Sequence, residues 1–364
     1  MPLRVAIVGC GWVGGSQVER GFAHRPDLFA VDAACDADPA RLAAFAARHG
    51  IARQAASLDA VLAMPDIDVL SICTPPHLHA EQVMAALAAG KHVICEKPFV
   101  ASLALFDRVA TAERASGRRV MPIFQYRFGD GIAKVKHVIE RGLAGRAYVS
   151  SIETAWRRGP DYYQVPWRGK LATELGGVLL TQAIHMHDLL LYLIGPAVAV
   201  AGFRTTRVNP VEVEDCAVGS LVMADGSLAS LTATLGSARQ LTRLRFCFEH
   251  VTFERQCEVD AAGRPGDEPW TVIPMNAAVG DEIARAMAEV PPAASGFARQ
   301  FELFAAALAS GDPFPVTLAD ARRSLELITA MFEANESGRV VPLPIAPGHP
   351  RYEGWTGTAA VAAE

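Results

Sequence analysis

The chain has 364 residues, of which 51% are hydrophobic and 20% are charged, and its formal net charge is −5. This length exceeds that of one ordinary hydrophobic core and predicts two domains, while the composition excludes an intrinsically disordered protein. The Lys and Arg residues are scattered, so the sequence shows no basic surface of the kind that binds nucleic acid or an anionic membrane.

Neither a targeting segment nor a metal site is predicted. The N-terminal run MPLRVAIVGCGWVG is too short and too rich in glycine for a signal peptide. No apolar run reaches the ~18 residues that span a bilayer, so we expect a cytoplasmic protein. The seven cysteines include no Cys-x-x-Cys spacing, which predicts reduced thiols and neither a disulfide framework nor a metal.

The start of the chain carries a dinucleotide-binding pattern. An apolar strand at 3–8 runs directly into GCGWVG, and a helix is predicted to follow to about Ala23. In this setting the glycines allow a tight turn, a close approach to a pyrophosphate and helix-strand packing, and the anion sits on the helix N-terminus. The residues of this pattern that we expect to bind the cofactor are Gly9, Gly11, Trp12, Val13 and Gly14.

A carboxylate follows the second predicted strand, Phe29 to Cys35. Asp36 stands close to the ~20-residue spacing from the glycines that is typical of a ribose-binding acid. We expect it to accept hydrogen bonds from the ribose hydroxyls and to repel a 2′-phosphate, so NAD is predicted and NADP is less favoured. Neither Ala37 nor Asp38 offers an arginine to a phosphate. The alternative is that Asp36 caps the next helix, although Asp38 is better placed for that.

Two later strands also end in polar residues. The strand at 68–73 is followed by TPPHLH, and the strand at 92–95 by Glu96, Lys97 and Pro98. Ligands of open α/β sheets lie outside the carboxyl ends of the strands, so Lys97 is the leading catalytic candidate. The alternative is a solvated loop lysine. With a last strand at 120–125, the β-α alternation predicts a doubly wound Rossmann domain over residues 1–127.

Beyond this point the pattern changes to successive strands, which predicts an α+β domain at 128–340 with a large, mostly antiparallel, open-faced sheet. A C-terminal tail at 341–364 follows. Strands are expected at 146–156, 198–206, 216–223, 228–235 and 241–253, and helices at 131–141, 179–194, 297–308 and 318–337. An isolated one-faced apolar sheet would expose a large patch, so we expect a homo-oligomer. Residues 254–295 carry no functional signal that we interpret.

Together, GCGWVG, Asp36, TPPHLH, GKHVICEKP and the segment containing IHMHD resemble the Gfo/Idh/MocA family of nicotinamide-dependent oxidoreductases over about residues 3–340. The resemblance implies a homodimer or homotetramer and a lysine and a histidine flanking the reacting carbinol, which match Lys97 and His185. It also implies a cis Lys97–Pro98 bond. The further residues that we expect at the cofactor are Thr74, Pro75, His79, Glu96 and Lys97.

The sequence departs from the family at one position. Family members place an aspartate four residues before the histidine, where this chain has Thr181. Asp188, three residues after His185, would substitute in part if both lie on one helix face. The alternative for His185 is a core histidine, and His187 is assigned to the core. The residues that we expect to contact substrate are Tyr126, Arg127, Tyr163, Arg168, Thr181, Gln182 and Asp188, although the aromatic loop at 161–170 is equally consistent with packing on its own domain.

The resulting prediction is an NAD-dependent enzyme that oxidises a secondary hydroxyl of a sugar, sugar derivative or cyclitol. One alternative is an NAD-dependent glycosidase that oxidises its sugar transiently. Another is a non-catalytic dinucleotide-binding sensor. The intact Lys97 argues against the sensor, whereas the replacement of the family aspartate by Thr181 is consistent with it.

Overall fold

The structure is a computed structural model that describes residues 1–258 and 264–355. The chain forms two compact units. The first unit contains residues 1–125 and 295–321, and the second contains residues 126–294 and the chain from 322 onward. The end of the predicted tail, beyond residue 355, lies outside the described residues.

The first unit is built on a six-stranded parallel sheet of order β3-β2-β1-β4-β5-β6, which confirms the doubly wound prediction. Its short strand β3 was not located from the sequence. The strands are β1 Leu3–Val8, β2 Phe29–Cys35, β3 Arg53–Ala55, β4 Val69–Ile72, β5 His92–Cys95 and β6 Val120–Pro122. The helices between them are α1 Trp12–Arg20, α2 Pro39–His49, α3 Leu58–Leu62, α4 His79–Ala88 and α5 Leu103–Ser116.

The strand register aligns the ends that carry the predicted functional residues. Val8 pairs with Cys35 and with Ile72, and Ile72 pairs with Cys95. The next residue along each strand is therefore Gly9, Asp36, Cys73 or Glu96, which places four consecutive segments at one edge of the sheet.

The second unit is built on an eight-stranded sheet of order β13-β12-β11-β7-β10-β9-β8-β14, in which only the described β10–β7 pairing is parallel. This confirms the mostly antiparallel prediction. The strands are β7 Ala147–Arg157, β8 Ala197–Thr205, β9 Cys216–Met223, β10 Leu228–Thr234, β11 Gly236–Phe248, β12 Val251–Glu258, β13 Thr271–Pro274 and β14 Val341–Pro342. The helices of this unit are α6 Asp130–Glu140, α7 Pro160–Tyr163, α8 Leu171–Glu174, α9 Val178–Thr181, α10 Ile184–Ile194 and α11 Ala277–Ala288. Helix α12 Gly296–Ser310 belongs to the first unit, and α13 Leu318–Ser337 begins in the first unit and continues into the second.

Two predicted elements are divided in the structure. The strand expected at 241–253 is the hairpin of β11 and β12, whose turn at 249–250 contains neither glycine nor proline and so escaped detection. The helix expected at 179–194 is split into α9 and α10, and the segment 171–181 is bent by 49° from α10. The carboxylate of Glu214 accepts hydrogen bonds from the backbone N–H groups of Gly177 and Leu179, so α9 begins where a residue distant in sequence caps it.

The predicted domain boundary also needs correction, because residues 295–321 cluster with the first unit. Helix α12 lies against this unit through Phe301, whose ring stacks on Phe22 at a centroid distance of 4.3 Å. Gln300 Nε2 donates to the carbonyl of Pro122 at 2.9 Å. An amphipathic helix can bury its apolar face on whichever unit is in reach. The position of α12 in the sequence therefore did not show to which unit it belongs.

Among the described residues, no single helix is long and apolar enough to cross a membrane. The segments 171–181 and 184–194 pass the length and composition test only as a bent pair, and most of their residues are buried in the fold. Residues 1–258 and 264–355 contain no cluster of three His, Cys, Asp or Glu residues that could hold a metal ion.

Candidate active site

The glycine-rich turn leaves room for an anion at the start of α1. Gly9 has a φ of 99°, and a Cβ there would lie 2.7 Å from the Cys73 carbonyl carbon. A Cβ on Gly14 would lie 2.5 Å from the Gly9 carbonyl oxygen. Gly11, in contrast, has open space around its Cβ position, and no side chain caps α1. Gly9 and Gly14 are therefore needed for the fold, while Gly11 leaves the helix N-terminus accessible to a pyrophosphate.

Asp36 lies beside this turn, and its carboxylate is saturated with hydrogen bonds. Oδ2 accepts from the Cys10 N–H and from Arg41 Nε, both at 2.9 Å, and Oδ1 accepts from the Asp38 N–H and from Arg41 Nη2, both at 2.9 Å. Burial raises the pKa of Asp36, but these hydrogen bonds and the Arg41 charge lower it below its ordinary value. The Asp38 side chain caps α2 by accepting hydrogen bonds from the backbone N–H groups of Ala40 and Arg41, so Asp36 is not the cap of this helix.

The loops after β4 and β5 are tied together by His79. Its imidazole is 1% exposed and lies 2.8 Å from the Pro98 carbonyl oxygen and 2.9 Å from that of Thr74. Burial lowers the pKa of His79, while the two carbonyls favour its protonated form. The predicted cofactor residue His79 is thus a clamp that holds the Thr74–Pro75 turn against the Lys97–Pro98 segment.

Glu96 anchors the residue that follows it. Its Oε1 accepts from Gln17 Nε2 at 2.7 Å, its Oε2 accepts from the Lys97 N–H at 3.2 Å, and Gln17 in turn accepts from the Ser71 hydroxyl. Burial raises the pKa of the Glu96 carboxyl, against the opposing effects of Lys97 and Gln17. The Lys97–Pro98 peptide is cis, as the resemblance implied. Lys97 therefore projects from a backbone that is held on both sides.

In the second unit, His185 lies in the first turn of α10 and is 4% exposed. Its ring stacks on Tyr126 at a centroid distance of 4.4 Å. Burial raises the pKa of Tyr126 to about 12, so this tyrosine stays neutral. His187 is 1% exposed and burial lowers its pKa to about 3, in keeping with its assignment to the core.

Arg127 and Asp188, both predicted to contact substrate, pair with each other. Arg127 Nε donates to Asp188 Oδ2 at 2.7 Å and Nη2 donates to Oδ1 at 2.5 Å. The two side chains are 4% and 1% exposed. This bidentate buried pair gives both residues a structural role inside the second unit. The support that Asp188 was expected to give His185 has to compete with Arg127 for both carboxylate oxygens.

Thr181 and His185 do not lie on one continuous helix, as the predicted helix at 179–194 would require, because α9 ends at Thr181 and α10 begins at Ile184. The Thr181 hydroxyl donates to the Gly177 carbonyl at 2.8 Å and contacts Gln182 Oε1 at 2.5 Å. Gln182 Nε2 donates to the Tyr162 hydroxyl at 2.9 Å. The threonine and the glutamine therefore connect the helix break to the aromatic loop.

Within that aromatic loop, Arg168 is engaged by its own neighbours. Its guanidinium lies over the Tyr162 and Trp167 rings at 3.8 and 4.3 Å, hydrogen-bonds the Tyr162 hydroxyl, and pairs with Glu174 at 3.4 Å. Tyr163 packs edge-on against Tyr162 at a centroid distance of 5.0 Å. These contacts agree with the alternative that the loop packs on its own domain.

Three polar residues that lie near predicted ones were not themselves predicted, namely Gln17 and Arg41 in the first unit and Arg158 in the second. Arg158 lies 5.2 Å from the Trp156 ring centroid and 5.3 Å from that of Tyr162. It donates to the Arg157 carbonyl and to Gln240 Oε1, but to no carboxylate of the described residues. Arg41 had a detectable signal, since it stands in the first turn of the helix after Asp36. Gln17 and Arg158 had none, because only the fold brings Gln17 to Glu96 and Arg158 to Gln240.

Comparisons with known proteins match both parts of the chain to one family. A model of the oxidoreductase family with an NAD-binding Rossmann fold matches residues 3–124, and a model of the GFO/IDH/MocA C-terminal domain matches residues 132–254. The chain is 28% identical to levoglucosan dehydrogenase of Pseudarthrobacter phenanthrenivorans over 64% of this chain and 67% of that protein. It is 32% identical to D-glucoside 3-dehydrogenase of Escherichia coli over 54% of this chain, and the match spans little more than half of that relative, 56%.

A solved structure extends the likeness to nearly the whole chain. The WlbA dehydrogenase from Bordetella pertussis, in complex with NADH and UDP-GlcNAcA, superposes with a TM-score of 0.83 at 27% identity, covering 95% of this chain and 100% of that one.

Proposed function

This chain belongs to the Gfo/Idh/MocA family of oxidoreductases, and we propose that it oxidises a secondary hydroxyl of a sugar, sugar derivative or cyclitol with NAD. The observation that carries the proposal is the edge of the first sheet, where an open glycine turn, Asp36 and Lys97 follow neighbouring strands. When bound, NAD supplies the redox chemistry by accepting a hydride at its nicotinamide ring. The chain's own residues bind the reactants and move the hydroxyl proton.

Lys97 and His185 are the residues that we assign to this proton. Loss of hydride from a carbinol requires that its hydroxyl give up a proton to a nearby base or be stabilised as an alkoxide by a cation. Lys97 is supported by its backbone, which contacts Glu96 on one side and, through the Pro98 carbonyl, His79 on the other, and His185 is supported by the Tyr126 ring that restrains its imidazole. The glycine turn would hold the pyrophosphate and Asp36 the ribose, and the contacts of His79 with the Thr74 and Pro98 carbonyls fix the loops beside them.

A panel of aldoses, sugar acids, inositols and amino sugars, incubated with NAD and followed at the NADH absorbance band, tests the proposal. We expect one NADH for each hydroxyl oxidised. Turnover of aryl glycosides without net NADH would favour the glycosidase. Tight binding of NAD without turnover of any member of the panel would favour the sensor.

We further propose that the substrate carries a carboxylate or another anionic group, because Arg158 offers a half-buried guanidinium that no described carboxylate neutralises. A buried or half-buried cation gains most from a ligand of opposite charge. The expected result for Arg158→Gln is an increase of at least tenfold in KM for acidic sugars, with little change for neutral ones, measured by steady-state kinetics.

Arg157→Gln is the matched control for this variant, since it removes an adjacent, exposed arginine. It should leave both classes of substrate unaffected. Equal loss with acidic and neutral sugars in Arg158→Gln would count against charge recognition.

We also propose that the outer face of the eight-stranded sheet joins two copies of the chain. Exposed apolar side chains form a row across three neighbouring strands, because Leu228 of β10 is in register with Val222 of β9 and Val149 of β7. These three side chains are 51%, 40% and 46% exposed. A second row pairs Phe203 of β8, 66% exposed, with Val218 of β9. Contiguous apolar surface of this kind marks an interface.

At micromolar concentration, light scattering should report a dimer or tetramer for the unmodified chain. Leu228→Arg, which places a charge in the middle of the first row, is expected to shift the mass towards the monomer. Met275→Arg is a control at an exposed apolar residue outside the two rows. A monomeric unmodified chain would contradict the proposal.

We propose NAD as the preferred dinucleotide, because the ionised Asp36 carboxylate opposes a 2′-phosphate. The guanidinium of the neighbouring Arg41, which pairs with Asp36, is expected to weaken this preference for NAD over NADP.

A further inference from the structure

The hydrogen-bond count at Asp36 leaves no vacant position for a ribose. An ionised carboxylate offers about four acceptor positions. Four donors already use them, namely the backbone N–H groups of Cys10 and Asp38 and two nitrogens of Arg41. A ribose diol that donates to Asp36 must therefore displace or share one of these donors.

Arg41 is the donor that can move. The Cys10 N–H belongs to the glycine-rich turn and the Asp38 N–H to the backbone just before α2, so both are held by the fold. The Arg41 side chain is 52% exposed, although its backbone N–H is anchored on the Asp38 carboxylate at 3.1 Å. Only rotation about side-chain bonds is required for its guanidinium to leave Asp36.

A cavity borders the pair of Arg41 and Asp36. Arg41 lines a cavity of about 520 Å³ together with Gly11 and Trp12 of the glycine-rich turn. The other charged residues that line it are Glu19, Arg20 and Arg48. Its volume falls within the range of small-ligand sites. Arg48 is paired with Glu19 at 2.7 Å and Arg41 with Asp36, so a phosphate that entered this space could take over Arg41 only by drawing it away from Asp36.

We infer that Arg41 is a selectivity-determining residue for the cofactor, an inference that rests on the proposed dinucleotide-dependent function. Its guanidinium competes with the ribose of NAD for Asp36, and it offers a bidentate partner to the 2′-phosphate of NADP. Asp36 alone would discriminate strongly against NADP. With Arg41 at its side the site admits both dinucleotides, with a moderate preference for NAD.

The test measures binding without turnover, by equilibrium dialysis of NADH and NADPH with the full chain. In Arg41→Met we expect the dissociation constant for NADH to fall and that for NADPH to rise, so that their ratio shifts at least tenfold towards NADH. Arg41→Lys keeps a charge but loses the bidentate fork, and its ratio should lie between those of the unmodified chain and Arg41→Met.

Arg53→Met is the matched control. Arg53 forms a similar bidentate pair with Asp66, at 2.7 and 3.0 Å, but it is the first residue of β3, in register with Ala33 of β2, and its carboxylate partner is not Asp36. This variant should leave the ratio within twofold of that of the unmodified chain.

A ratio in Arg41→Met that stays within twofold of the unmodified value would overturn the role of Arg41 while leaving the proposed function intact. So would an equal shift in Arg53→Met. If the unmodified chain bound neither dinucleotide, both the inference and the proposed function would fail.

Discussion

Replacing Lys97 by alanine is expected to lower kcat at least ~100-fold, the size of a lost general base or acid. The backbone around Lys97 is held by contacts that do not involve its side chain: its own N–H donates to Glu96, and the Pro98 carbonyl contacts His79. Truncation should therefore remove the amine without displacing the loop. Steady-state kinetics should show the loss, and the dissociation constant for NAD should change much less.

Lys91 provides a matched control at the other end of the same strand. Its Nζ donates to the carbonyls of Met64 and Ile67, each at 2.7 Å, so Lys91→Met should reduce stability and spare kcat. His185→Ala should cost less activity than Lys97→Ala. If Lys97→Ala keeps near-normal kcat while His185→Ala is inactive, the two roles are reversed.

The second large effect is expected from Asp188→Ala, which should lower the free energy of unfolding of the second unit by about 3–5 kcal/mol. The reason is that the variant leaves the guanidinium of Arg127 buried without its bidentate partner. Urea denaturation, followed by circular dichroism, would measure the change as a lower midpoint.

Two comparisons separate this explanation from a general effect of substitution. The double variant Arg127→Met with Asp188→Leu removes both charges and should recover much of the loss. Glu153→Ala breaks the more exposed pair with Arg243 in the same unit and should cost less than about 1 kcal/mol. An Asp188→Ala midpoint equal to that of the unmodified chain would show that the buried pair does not stabilise the unit.

Local signals in the sequence were sufficient to predict most of the first unit and the functional residues that it carries. A buried strand, a glycine pattern and a helix follow one another within a few residues, so the turn at Gly9 and the strand ends at Asp36 and Glu96 could be placed without knowledge of distant contacts. Parallel pairing then brings these ends to one edge, because strands joined by right-handed crossovers all point the same way.

The second unit was predictable only in outline. Alternating apolar residues indicated a one-faced sheet, but they did not show the turn between β11 and β12, where no glycine or proline interrupts the pattern. The helix break before His185 was also hidden, since the apolar pattern continues through it and the cap on α9 comes from Glu214.

Long-range pairing decided the partners of the polar groups. Arg127 lies 61 positions from Asp188, Gln17 lies 79 positions from Glu96, and neither spacing carries a periodic signal. Buried charges and amides select partners by the geometry of the folded chain, because each must find a hydrogen bond wherever the backbone brings it. Local periodicity thus determined the elements of this protein and the strand ends that carry its chemistry, whereas tertiary structure alone decided that Arg127 holds Asp188 and that Gln17 holds Glu96.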